Sequence, residues 1–253
     1  TQGVSSAASD VYKRQYVNCN KEDLEKEYAA LVAEYEEVKG KGLKLNMARG
    51  KPGEDQLNLS RPLLDVINSS TDCITAHGAD CRNYGELAGI DECKNFFAEI
   101  FDVDPSDVMV GGNSSLNMMF DTIAGFMTKP VVEGCKPWYE VKNRKFLCPA
   151  PGYDRHFAIT EYFDFDLIPV PMTENGPDMD VVEKLVENDD SIKGIWCVPK
   201  YSNPLGITFS DETVKRFAAL KPAAKDFRIM WDNAYCVHDV TDTPDELLSL
   251  MAE

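Results

Sequence analysis

Four short runs in this 253-residue chain put polar or aromatic side chains where they could hold a ligand. Gly111-Gly112-Asn113-Ser114-Ser115 follows an apolar stretch and opens a helical pattern. Glycines admit close backbone approach, and a helix start offers free N–H groups, so the run suits a phosphate; it suits an ordinary serine N-cap as well. It is neither Gly-x-x-x-x-Gly-Lys-Ser/Thr nor Gly-x-Gly-x-x-Gly. Pro151-Gly152-Tyr153 presents an aromatic face, to a flat ligand or to the rim of the core. Ser202-Asn203-Pro204-Leu205-Gly206 marks a tight turn in which Asn203 either aims its amide at a ligand oxygen or caps its own backbone. Asp232-Asn233-Ala234-Tyr235 sets a carboxylate directly after Ile229-Met230-Trp231. A carboxylate at the edge of buried space needs a cationic or hydrogen-bonding partner, unless it is a satisfied turn or cap.

The elements that position these runs alternate. Short apolar runs at 107–110, 145–148, 165–170, 194–198 and 227–231 predict strands. Amphipathic stretches at 114–127, 153–162, 179–186 and 211–220 predict helices. Such alternation predicts an α/β fold: a three-layer αβα arrangement around a mostly parallel sheet, with ligands at the carboxyl ends of the strands. Ahead of it, Asn20 is a plausible N-cap for a helix whose Leu24, Tyr28, Leu31, Tyr35 and Val38 share one face until Gly40. A further helix start is expected at Asp245-Glu246-Leu247-Leu248. Residues 1–15 show neither period, resemble translated adapter read-through, and are set aside as a non-native segment.

Composition narrows the classes. Forty-three acidic against 26 basic residues give a net charge of −17, a poor match to nucleic-acid binding, and the acidity reads as solubility. No apolar run approaches the about 20 residues that cross a bilayer, so no membrane partner is expected. The eight cysteines are scattered without a CxxC pair or histidine at ligand spacing. They read as reduced core thiols of a cytoplasmic protein with no metal site. His77, His156 and His238 receive no role, for want of a visible nucleophile or carboxylate partner.

Taken in order, these runs resemble the fold-type I pyridoxal-phosphate aminotransferases (class I/II), in the aspartate-aminotransferase-like branch with Ala48-Arg49-Gly50-Lys51-Pro52 near the start. The resemblance covers roughly residues 21–253. It implies a domain division into an N-terminal helix and loop of the small domain at 16–55 and a large cofactor-binding domain at 56–253, incomplete at its end. It implies pyridoxal 5'-phosphate as cofactor. Gly112, Asn113, Ser114 and Ser115 would cup the phosphate, Tyr153 would stack on the ring, Asn203 and Tyr235 would bond the phenolic oxygen, and Asp232 would pair with the ring nitrogen. Gly50 would lie beside the substrate carboxylate, and Tyr84, in Asn83-Tyr84-Gly85, would reach the neighbouring subunit of a homodimer. The implied activity is transfer of an amino group between an amino acid and a 2-oxo acid. The family's Schiff-base lysine has no match in this chain and is expected beyond Glu253, since Lys200 and Lys215 lie on the wrong side of the landmark; no catalytic residue is therefore assigned, and this chain by itself is expected to be inactive. Three other readings stand beside this one: a carbon–sulfur lyase or eliminase on the same cofactor, the non-enzymatic cofactor-binding domain of a regulator, and a generic nucleotide binder.

Overall fold

The structure, a computed structural model, describes residues 16, 19–44, 51–239 and 241–253, and the chain divides into two compact units, 10–85 and 86–253. That boundary of compactness is of a different kind from the family division at 55/56. The segment 1–15 and Gly50 lie outside the described residues.

Within 10–85, helix α1 spans Lys21–Gly40. Asn20 caps it by accepting the Asp23 backbone N–H at 2.9 Å, and Glu22 and Asp23 fill the first turn, where the helix dipole favours negative charge. None of its residues is buried; Tyr28, Leu31, Tyr35 and Val38 all face solvent. Helix α2 (Glu54–Ser60) runs into a 3-10 turn at Arg61–Asp65, and an isolated antiparallel bridge joins Ile74 to Asp80.

Within 86–253, helix α3 (Asp91–Phe101) and helix α4 (Ser115–Thr128) precede strand β1 (Lys145–Ala150). Then come α5 (Asp154–Tyr162), β2 (Asp166–Thr173), β3 (Gly176–Pro177), α6 (Met179–Asn188), β4 (Ile192–Cys197), α7 (Asp211–Ala218) and β5 (Arg228–Trp231). The sheet order is β3-β2-β1-β4-β5, parallel throughout except for the antiparallel β2–β3 pair. All six residues of β4 are buried, as both-face coverage demands.

Strand alternation sorts the core into two sides. Leu147 and Ile195 join Val182 and Val186 of α6 and Val214 and Phe217 of α7. Phe146, Cys148 and Trp196 join Ile123 and Met127 of α4 and Phe157 of α5. This is the αβα layering. Each fully buried aromatic or aliphatic side chain contributes about 1.5–3 kcal/mol. Gly194 lets β4 come close to its neighbours, because a Cβ there would sit 2.5 Å from the Arg228 carbonyl oxygen and 2.6 Å from the Phe146 ring.

Three expectations change. Residues 107–110 form no strand: Pro105–Asp107 is a 3-10 turn, and Val110 donates its N–H to Ala88 O instead of entering a ladder. Extended backbone becomes a strand only when a neighbour supplies the complementary groups. No helix starts at 245–248, where Leu247 and Leu248 pack against the core as irregular chain. Nor are the cysteines uniformly core thiols, since only Cys148 and Cys197 are buried. Among the described residues no helix is long and apolar enough to cross a membrane, and none group as a metal site.

Candidate active site

The parallel strands β1, β4 and β5 deliver the segments that follow them to one end of the sheet. A cleft of about 290 Å³ opens there, lined by Asn113, Ser114, Ser115, Leu116, Tyr153, Val198, Asn203, Asp232, Ala234 and Tyr235. Seven of the eight residues expected to hold a cofactor line it; Gly112 adjoins them in the chain without lining it. Tyr84 belongs to the other unit and is 97% exposed.

Ser114 caps α4, its hydroxyl accepting the Asn117 N–H at 3.4 Å. The cap orients the first turn so that its leading N–H groups stand beside the cleft, an arrangement suited to an anion. A Cβ at Gly112 would meet nothing within 4 Å, so the approach to this turn is open.

Asp232 is fixed twice. Its backbone N–H donates to Cys197 O at 2.8 Å, continuing the β4–β5 pairing by one residue. Its Oδ2 lies 2.8 Å from His156 Nε2, and its side chain is only 12% exposed. With the carboxylate ionised, that bond requires His156 to carry its proton on Nε2. His156 is itself buried, stacked on Trp196 with ring centroids 4.6 Å apart and edge-on to Tyr153 at 5.0 Å. The partner that a buried carboxylate needs is therefore a histidine to which the sequence reading gave no role. A signal existed: His156 stands three residues after Tyr153 at the start of α5, a spacing that places both on one helix face.

On the opposite side, Asn203 Nδ2 donates to the Tyr235 hydroxyl at 3.3 Å, so these two meet each other as well as the cleft. Their loop is clamped from behind. Lys200, almost wholly buried, pairs with Asp239 at 2.9 Å, and the Tyr201 hydroxyl donates to the same carboxylate at 2.7 Å. Lys200's hydrogen bond and then Tyr201's hold Asp239 below the usual carboxylate range. Burial pulls Lys200 down, but Asp239 outweighs it and leaves the ammonium raised. Lys200 is thus committed to Asp239, and no lysine is among the described residues that line the cleft. In the core beneath the sheet end, burial pushes the Cys197 thiol well up, as suits an inert packing group.

A family model described as aspartate amino-transferase matches residues 19–253. The chain belongs to this family. Among its aminotransferase relatives, an aspartate aminotransferase of Corynebacterium glutamicum is 45% identical over 217 residues, 86% of this chain and 50% of that protein. A Mycolicibacterium smegmatis protein described as an aminotransferase is 44% identical over 241 residues, 94% of this chain and 56% of that one. The crystal structure of an aspartate transaminase from Corynebacterium glutamicum superposes with a TM-score of 0.82 at 41% identity, over 93% of this chain and 55% of that one. The chain thus spans about half the length of the curated aminotransferases it matches.

The cleft's donor set fits the pyridoxal 5'-phosphate that this family uses: a helix start for the anion, an aromatic face in Tyr153, hydroxyl and amide groups in Tyr235 and Asn203, and a carboxylate opposite.

Proposed function

We propose that this chain forms the cofactor-binding part of an aminotransferase that moves an amino group between an amino acid and a 2-oxo acid, with pyridoxal 5'-phosphate as cofactor. The observation that carries the reading is the His156–Asp232 pair at the edge of a cleft whose other walls are a capped helix start and the Asn203–Tyr235 contact. When bound, the cofactor supplies an electron sink for the charge left as a proton leaves the substrate α-carbon.

The chain's own residues do the rest. Asp232, oriented by its contact with His156, would face the ring nitrogen and hold a proton there. A charged hydrogen bond in a site that is seven-eighths shielded is far stronger than its equivalent in water. Asn203 and Tyr235 would orient the ring oxygen, Tyr153 would cover one ring face, and Gly112 with the N–H groups of Ser114 and Ser115 would seat the phosphate. Gly50 remains our candidate beside the substrate carboxylate. The 97% exposure of Tyr84 leaves it available to a second subunit, and we read the whole protein as a homodimer with shared sites. The eight free cysteines suit a cytoplasmic location. With no lysine among the described residues on the cleft wall, we expect this chain by itself to bind the cofactor without turning over.

Titrating the chain with pyridoxal 5'-phosphate tests the reading, because saturation at about a hundred times Kd adds about 2.7 kcal/mol of stability. The expected result is a raised melting temperature with quenched tryptophan fluorescence, and at least about tenfold weaker binding in Asp232→Ala. Equal affinity in that variant overturns the assignment.

A further inference from the structure

Cys73 and Cys81 oppose each other across a short antiparallel pairing in the 10–85 unit. Ile74 and Asp80 form its bridge, flanked on one side by Thr75 N–H donating to Ala79 O and on the other by Cys81 N–H donating to Cys73 O, both at 2.8 Å. In this pattern the 73/81 pair is directly cross-strand and at a hydrogen-bonded position. Such pairs project their side chains to the same face with Cα atoms about 5.5 Å apart. That lies inside the span of about 4.4–6.8 Å which a disulfide bridges.

The pairing is pinned from both ends. Gly78, at φ +86°, turns the chain and donates to Thr75 O at 2.9 Å, while the Thr75 hydroxyl accepts the Ala79 N–H at 3.0 Å. Beyond the bridge, Arg82 grips Asp80 with two bonds of 2.8 and 2.6 Å. The opposition of the two cysteines is therefore built into the backbone and does not depend on side-chain wandering. Cys81 is exposed and Cys73 half-buried, so a small reagent reaches the pair.

We propose that Cys73 and Cys81 are a redox modification site, closing into a reversible intrachain disulfide by exchange with small-molecule disulfides. The Cys81 thiolate attacks one sulfur of the reagent, forming a mixed disulfide and releasing one thiolate. The Cys73 thiolate then attacks the Cys81 sulfur, forming the intrachain bond and releasing the second. The two protons from the cysteines leave on the two released thiols; the cysteines lose two electrons and the reagent gains them. An exposed cross-strand bond of this kind belongs to the labile class that reducing pools reopen. The inference is independent of the function proposed for the cleft.

The test is equilibration of the whole chain in glutathione redox buffers, natively and in urea, followed by alkylation and peptide mapping. The expected result is a Cys73–Cys81 linked peptide whose formation constant is at least about tenfold larger in the native chain, a difference of about 30 mV. Cys81→Ser is expected to abolish that peptide and leave the native melt unchanged. A native constant no larger than the denatured one overturns the proposal. So does recovery of Cys73 and Cys81 joined to other cysteines.

Discussion

At the scale of single residues, the site turns on a histidine holding an acid. His156→Phe keeps an aromatic ring against Trp196 and deletes the bond to Asp232. A hydrogen bond to a charged group contributes about 1.5–3 kcal/mol, so the variant is expected to fold and to bind pyridoxal 5'-phosphate roughly tenfold or more weakly by fluorescence titration. Unchanged affinity shows that His156 merely packs. The landmarks Tyr153, Asn203 and Asp232 were legible because each follows an apolar run, and a parallel sheet sends such positions to one end. His156 was not, because its partner lies 76 residues away and no local pattern announces that meeting.

At the scale of elements, Lys145 at the start of β1 reaches Asp189 beyond the end of α6 at 2.6 Å, tying two consecutive crossover units together. The Lys145 bond and then Ser191's hold Asp189 down at about 2. A depressed carboxylate contributes stability that is complete above its unfolded value of about 3.9 and is lost as pH falls toward 2. Asp189→Asn is therefore expected to lower the urea midpoint near neutrality and to flatten its decline between about pH 4 and pH 2. A parallel acid profile contradicts this. Element boundaries were readable where local chemistry marks them, as Asn20 and Gly40 bracket α1. They failed at 107–110 and 245–248, where structure depends on what packs or pairs alongside and not on propensity.

At the scale of the molecule, one buried ion pair joins distant stretches of the 86–253 unit. Lys193 in β4 meets Asp226 ahead of β5 at 2.8 Å, and the Trp138 indole N–H donates to the other carboxylate oxygen at 2.9 Å. All three residues are buried. Lys193→Met leaves the Asp226 charge without its cation, at an expected cost of about 3–5 kcal/mol in denaturant unfolding. Adding Asp226→Leu is expected to recover part of that loss; a single variant within about 1 kcal/mol of the parent contradicts the reading.

The two flanks of the sheet are unlike. On one side β3 is two residues long and ends in Pro177, which has no N–H to offer an incoming chain. On the other, β5 has only β4 as a strand neighbour among the described residues. A margin as short as β3 and ending in proline offers an incoming strand little to pair with, which discourages edge-to-edge extension of the sheet on that flank.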